Sequence, residues 1–233
     1  MDSADKTWCG VNIFVVIPAY NEAKTIGYIV NGLLAKGFRV VVVDDGSKDN
    51  TIIEANRYGA ELILRSNNSG KGRCVREGFE YALEEKCDVV ITMDGDGQHD
   101  FREIEKFLDE YRRSGADIVL GNRMSNPRKM PFIRRCTNSF MSFIISLILG
   151  RKIRDSQCGY RLLSRNALEK MSLKTAKYEI ESEILLEAKR LDLKVSSVDI
   201  DSIYQGESSQ INPFFDTLRF MRFIIYESLR KNP

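Results

Sequence analysis

Short β-branched runs alternate with longer amphipathic stretches along this chain, and that alternation limits the fold more than any other feature. Ile13-Phe14-Val15-Val16-Ile17 is apolar at every position, so both faces of that strand need covering, as in the centre of a parallel sheet. A helical stretch over about Glu22–Ala35 follows and stops near Gly37. Strands at Arg39–Val43, Glu61–Leu64, Asp88–Met93 and Asp117–Leu120 then alternate with helical patterns over about Asn50–Tyr58, Lys71–Glu85 and Phe101–Arg113. Helices near Ser164–Met171 and Glu179–Leu191 and a strand near Lys194–Val198 extend the series. The order predicts a three-layer α/β/α sandwich with a mostly parallel sheet.

Such sheets bind ligands at the carboxyl ends of their strands, and the polar clusters fall there. Asp94-Gly95-Asp96-Gly97-Gln98 ends a buried strand. Its carboxylates and amide carbonyl are hard oxygen donors suited to Mg²⁺ or Mn²⁺, which complete their shells with water and phosphate oxygens. Asp44-Asp45-Gly46-Ser47 ends another strand, where a carboxylate can accept from a ribose hydroxyl or a base N–H, or cap a turn. Gly70-Lys71-Gly72-Arg73 opens a helix and suits a phosphate, yet it lacks the spacing of a P-loop. G-x-G-x-x-G is also missing, which disfavours a nicotinamide dehydrogenase.

Composition removes further classes. With 35 Lys and Arg against 33 Asp and Glu, the net charge of +2 gives no field for nucleic acid. The single histidine, His99, excludes a three-His zinc site and reads as a polar loop residue. Cys9, Cys74, Cys87, Cys136 and Cys158 are scattered without C-x-x-C and read as reduced cytosolic thiols. No basic-then-apolar leader opens the sequence. The longest apolar run, Phe140–Leu149, is broken by Ser142 and Ser146 and falls short of the about 20 residues of a spanning helix. It lies in a block, Asn122–Arg154, with eight basic residues and no acid. Phe214, Leu218, Met221 and Ile225 form a second apolar stripe among Arg219, Arg222 and Arg230. Both features fit attachment to an anionic membrane surface rather than a crossing.

Taken together, Val16-Ile17-Pro18-Ala19-Tyr20-Asn21-Glu22, Asp44–Thr51, Gly70-Lys71-Gly72, Asp94–Gln98, Gly121-Asn122-Arg123 and Asp155–Arg161 resemble family 2 glycosyltransferases of the GT-A fold. Within that family the resemblance is strongest to polyprenyl-phosphate (dolichyl-phosphate) mannosyl- and glucosyltransferases. It covers about residues 12–225. It implies a single catalytic domain over 1–210, with a nucleotide-sugar half over about 12–121, an acceptor half over about 122–210, and an amphipathic helix over 211–233. Pro18, Ala19, Tyr20, Glu22, Val43, Asp45, Lys71, Asp94, Gly95 and Asp96 would bind the donor. Asp96 and Gln98 would hold Mg²⁺ or Mn²⁺, and Arg123, Arg135 and Ser139 the acceptor phosphate. Asp94, Asp96 and Arg123 would carry the catalysis. The implied partners are a nucleotide sugar, a polyprenyl phosphate and the cytoplasmic face of a membrane, with no nucleic acid.

The sequence departs from the family pattern in places. Gly95 stands where alanine is usual, and Asp155–Arg161 resembles the glucosyl branch. Tyr204–Gln210 lacks the Lys or Arg of the mannosyl enzymes, and Q-x-x-R-W, the mark of processive synthases, is absent. The rival readings are transfer to a hydroxyl, with Asp155 or Glu179 as base, and a binding module without turnover. A hydroxyl acceptor must lose a proton to a nearby base, whereas a phosphate monoester, with its second pKa near about 6, needs only cations. One histidine and an acid-free basic block suit the phosphate.

Overall fold

The structure, a computed structural model, describes residues 8, 10–127, 130–203 and 213–229. Its elements run β1 (Ile13–Ala19), α1 (Ile26–Ala35), β2 (Arg39–Asp44), α2 (Thr51–Arg57), β3 (Glu61–Leu64), α3 (Lys71–Glu84), β4 (Val89–Thr92), α4 (Ile104–Ser114), β5 (Ile118–Asn122), α5 (Phe132–Leu149), β6 (Arg161–Ser164), α6 (Arg165–Lys170), α7 (Ile180–Arg190), β7 (Val195–Asp199) and α8 (Pro213–Leu229). The strands form one seven-stranded sheet in the order β3-β2-β1-β4-β6-β5-β7.

Strand β1 shows why the sheet has three layers. Phe14 and Val16 face a core shared with α3, α5, α6, α7 and α8, while Val15 and Ile17 face one shared with α1, α2 and α4. All pairings are parallel except those of β6, which lies antiparallel between β4 and β5. This strand was not foreseen: Arg161-Leu162-Leu163-Ser164 is four residues long and shows no period of its own. The first helix starts at Ile26 rather than Glu22, because the residues before it form a loop tied to the next strand's loop.

The apolar run Phe140–Leu149 is the second half of α5, an 18-residue helix long and apolar enough by length and composition to cross a membrane. Asn138, Met141, Ser142 and Ile145 are buried on one of its faces, and it packs against α7 and α8. Its other face exposes Phe132, Ile133, Phe140, Phe143 and Leu147 by 44–73%. In α8, Phe220, Phe223 and Ile224 enter the core, while Leu218 and Ile225 of the expected stripe point to solvent. The side chain of Phe214, and Arg128, Lys129, Tyr204–Gln210 and Arg230, lie outside the described residues.

Candidate active site

Three loops meet at the carboxyl ends of β1, β2 and β4. After β1, Asn21 takes a left-handed conformation (φ 59°), and its side-chain oxygen accepts from the Lys48 amide at 2.8 Å. The amides of Asn21 and Glu22 donate to the hydroxyls of Ser47 (2.9 Å) and Thr51 (2.7 Å). Thr25 Oγ1 donates to the Gly95 carbonyl at 2.5 Å, which joins the β1 loop to the Asp94–Gln98 turn. Pro18, Tyr20 and Glu22 are thus half-buried around one concave edge, while Ala19 belongs to the core.

The expected donor residues divide by what they already do. Val43 has its side chain wholly in the core, so it offers a ligand only backbone. Asp45 accepts from the amides of Ser69 and Gly70, both at 2.8 Å, and fixes the turn that starts α3. Asp44 accepts from the amides of Gly46 and Ser47 through one oxygen, and its buried Oδ1 has no hydrogen-bond partner among the described residues.

Lys71 and Asp94 are in direct contact. Lys71 Nζ lies 2.5 Å from Asp94 Oδ1 and 2.7 Å from Glu181 Oε1. His99 Nε2 is 3.4 Å from the other Asp94 oxygen, and its ring, 3% exposed, packs beside Tyr160, so it is a buried partner of Asp94 rather than a solvated loop residue. Burial opposes charge on Asp94 and Lys71 alike. Lys71 and His99 outweigh it at Asp94 and hold that carboxyl far below its ordinary range. Asp94 and Glu181 outweigh it at Lys71 and hold the ammonium protonated.

The 155–161 segment frames this contact. Arg161, 1% exposed, donates to the carbonyls of Cys158 (2.8 Å), Ser156 (2.7 Å) and Glu181 (2.6 Å). This locks Gly159 behind the carboxylate: a Cβ there would sit 2.6 Å from Lys71 Nζ and 2.8 Å from Asp94 Oδ2. At Gly95 a Cβ meets only ordinary contacts at 3.5 Å. Gly95→Ala is therefore expected to change stability by less than about 0.5 kcal/mol and to leave turnover near that of the unchanged chain. Gly159→Ala should cost about 1–3 kcal/mol and most of the turnover, since it forces Lys71 off Asp94. Thermal unfolding and initial rates of the two variants check the contrast.

Asp96 spends one oxygen on the Gln98 amide (2.9 Å), and Gln98 Oε1 accepts from Arg134 at 3.3 Å. Among the described residues, no three acidic, His or Cys groups gather where they could hold a metal by themselves. Two oxygen donors on one turn still fit Mg²⁺ or Mn²⁺, whose shells are normally completed by water and a diphosphate.

The basic block is dispersed. Arg123 is buried, with Nε 2.8 Å and Nη2 3.0 Å from the two oxygens of Asp155. To grip an acceptor phosphate it must loosen Asp155. Arg134 reaches the Asp94–Gln98 turn, while Arg135 and Ser139 lie one helical turn apart and exposed on α5. Arg151, Lys152 and Arg154 line a cleft of about 700 Å³ along β7, away from Asp94. Glu181 was missed altogether; in sequence it is only one of two acids, with Glu183, in the first turn of a helix.

The profile of the family described as "Glycosyl transferase family 2" matches residues 14–172. The UDP-N-acetylglucosamine--dolichyl-phosphate N-acetylglucosaminyltransferase of Methanococcus voltae is 34% identical over 215 residues, covering 82% of this chain and 86% of that protein. The polyprenol monophosphomannose synthase of Mycolicibacterium smegmatis is 31% identical over 170 residues, 68% of this chain and 64% of that protein. Glucosyl-3-phosphoglycerate synthase from Mycobacterium tuberculosis, solved with Mn²⁺, UDP and glucosyl-3-phosphoglycerate, matches at a TM-score of 0.69 and 19% identity over 95% of this chain and 80% of that one. The last likeness shows a shared GT-A fold.

Proposed function

The chain belongs to glycosyl transferase family 2, and on that premise we propose that it moves a hexose, with inversion, from a nucleotide sugar to a polyprenyl monophosphate at a membrane surface. The observation that carries the reading is the placement of α5. The helix begins at the metal turn, with Arg134 on Gln98, and leads away from it an exposed stripe of Phe140, Phe143 and Leu147. A phosphate at the cationic end and an apolar tail along the stripe match that layout. The named acceptors of the relatives from Methanococcus voltae and Mycolicibacterium smegmatis support it.

The chemistry follows from charge. An acceptor phosphate oxygen forms the new bond to the anomeric carbon as the bond to the nucleoside diphosphate breaks. A phosphate dianion brings no proton that must be removed, so the residues around it need only position it. Arg135 and Ser139 are the exposed α5 groups assigned to that task. The loop of Pro18, Tyr20 and Glu22, with Asp45 behind it, would receive the nucleoside. Asp94 faces the sugar as positive charge develops on its ring. Asp96 and Gln98 would hold Mg²⁺ or Mn²⁺, which supplies positive charge to the departing diphosphate; Mn²⁺ beside UDP in the Mycobacterium tuberculosis synthase supports this. The hydroxyl-acceptor alternative loses one of its two bases, because Asp155 is spent on Arg123.

The test is a panel of radiolabelled nucleotide sugars with Mn²⁺ and a polyprenyl phosphate. Label is expected to pass into the organic phase with one of the donors. Label reaching only a soluble sugar acceptor would overturn the reading. Membrane attachment has its own test. Phe143→Ser with Leu147→Ser should keep stability within about 0.5 kcal/mol per site, because both side chains are exposed. The same variant should lose flotation with anionic vesicles, since each large apolar side chain gains about 1.5–3 kcal/mol when fully buried. Flotation equal to that of the unchanged chain would rule out this face.

A further inference from the structure

The Lys71 ammonium is shared by two carboxylates, only one of which lies on the metal-binding loop. Asp94 ends β4, and Glu181 stands in the first turn of α7. Lys71 is the first residue of α3, where the helix dipole disfavours a cation. The two carboxylates hold it there against that bias. Among the described residues Glu181, with its side chain 6% exposed, makes one ion pair, to Lys71 through Oε1, and its buried Oε2 has no hydrogen-bond partner. Burying a carboxylate for a single contact is a poor way to gain stability. Lys71 and Asp94 alone would already form a neutral pair, as a structural contact would want.

We propose that Glu181 is a positioning residue for sugar transfer: by sharing Lys71 it fixes Asp94 toward the donor and leaves that carboxylate only part of the ammonium. The inference rests on the glycosyl-transfer reading above. Two carboxylates compete for the Lys71 ammonium, so Asp94 keeps part of its charge for a cation-like sugar ring and the ions around it. With residue 181 neutral, Lys71 belongs wholly to Asp94 and cancels it. Rigid surroundings keep the arrangement from relaxing. The Glu181 carbonyl is tied to Arg161, Gly159 leaves no space behind Lys71, and His99 holds the second Asp94 oxygen.

The test compares Glu181→Gln and Glu181→Asp in the full chain. Glu181→Gln keeps the shape and removes one buried negative charge, so its melting temperature should not fall. Its kcat should drop about 10- to 100-fold, as when an outer-shell partner is lost. Affinity for Mn²⁺ in the presence of UDP or GDP, measured by calorimetry, should weaken in parallel. Glu181→Asp restores the charge and should recover part of kcat. A kcat for Glu181→Gln equal to that of the unchanged chain overturns the proposal. So does a loss of kcat that follows a lowered melting temperature, with Glu181→Asp no better than Gln. An unchanged chain that transfers no sugar overturns this proposal and the functional reading together.

Discussion

Asp96→Asn is expected to lower sugar transfer by about 100-fold or more, the scale seen when charge stabilisation of a transition state is lost. The substitution keeps the volume of the side chain and its bond to the Gln98 amide, since either carboxamide or carboxylate oxygen can accept there. What it removes is the negative charge that would fix a divalent ion beside the departing diphosphate. Asp96 lies on a half-buried turn and makes no ion pair among the described residues, so stability should move by less than about 0.5 kcal/mol. Initial rates with and without EDTA, beside a thermal melt, separate the two effects. Full activity in the variant or in EDTA would remove the metal from the account.

Arg123→Ala is expected to cost about 3–5 kcal/mol of stability, because it leaves the Asp155 carboxylate buried without its partner. The side chains of Arg123 and Asp155 are 4% and 0% exposed. Burial pushes the Asp155 carboxyl up, and the charge and hydrogen bonds of Arg123 more than offset it, so its folded pKa lies below the ordinary value. A lowered folded pKa stabilises the fold above the unfolded pKa, about 4, and that contribution fades as pH falls further. In Arg123→Ala it should be gone. Urea unfolding from pH 7 to pH 3 checks both the loss and its pH dependence, and Arg123→Ala with Asp155→Ala should recover part of the stability. Unchanged stability with loss of acceptor-dependent transfer alone would return Arg123 to the acceptor phosphate.

The parallel half of the fold was legible in the sequence because each strand there carries its own signal. β1 and β2 are built on the apolar runs Ile13–Ile17 and Val40–Val43, and the strand expected at Glu61–Leu64 is β3. β6 was not legible, since Arg161-Leu162-Leu163-Ser164 gains its identity from pairing with β4 and β5. The same holds within the site. The Asp94–Gln98 turn announces itself by composition. That Lys71 meets Asp94 and Glu181, or that Arg123 meets Asp155, depends on residues 23, 110 and 32 positions apart that only the folded sheet brings together. The acid-free basic block promised one anionic partner. Folding instead sends Arg123 into the interior, Arg134 to the Asp94–Gln98 turn, and Arg151, Lys152 and Arg154 to the β7 edge.

The central claim is that the acceptor is a lipid-borne phosphate, recognised by the cationic start of α5 without a general base. The most direct measurement compares transfer of labelled sugar to a polyprenyl monophosphate and to the matching polyprenol, under the same Mn²⁺ and donor. Labelled lipid is expected from the phosphate and none from the alcohol, because a phosphate dianion brings no proton to remove while Asp155, one of the two candidate bases for a hydroxyl, is spent on Arg123. Transfer to the polyprenol at a comparable rate would contradict it.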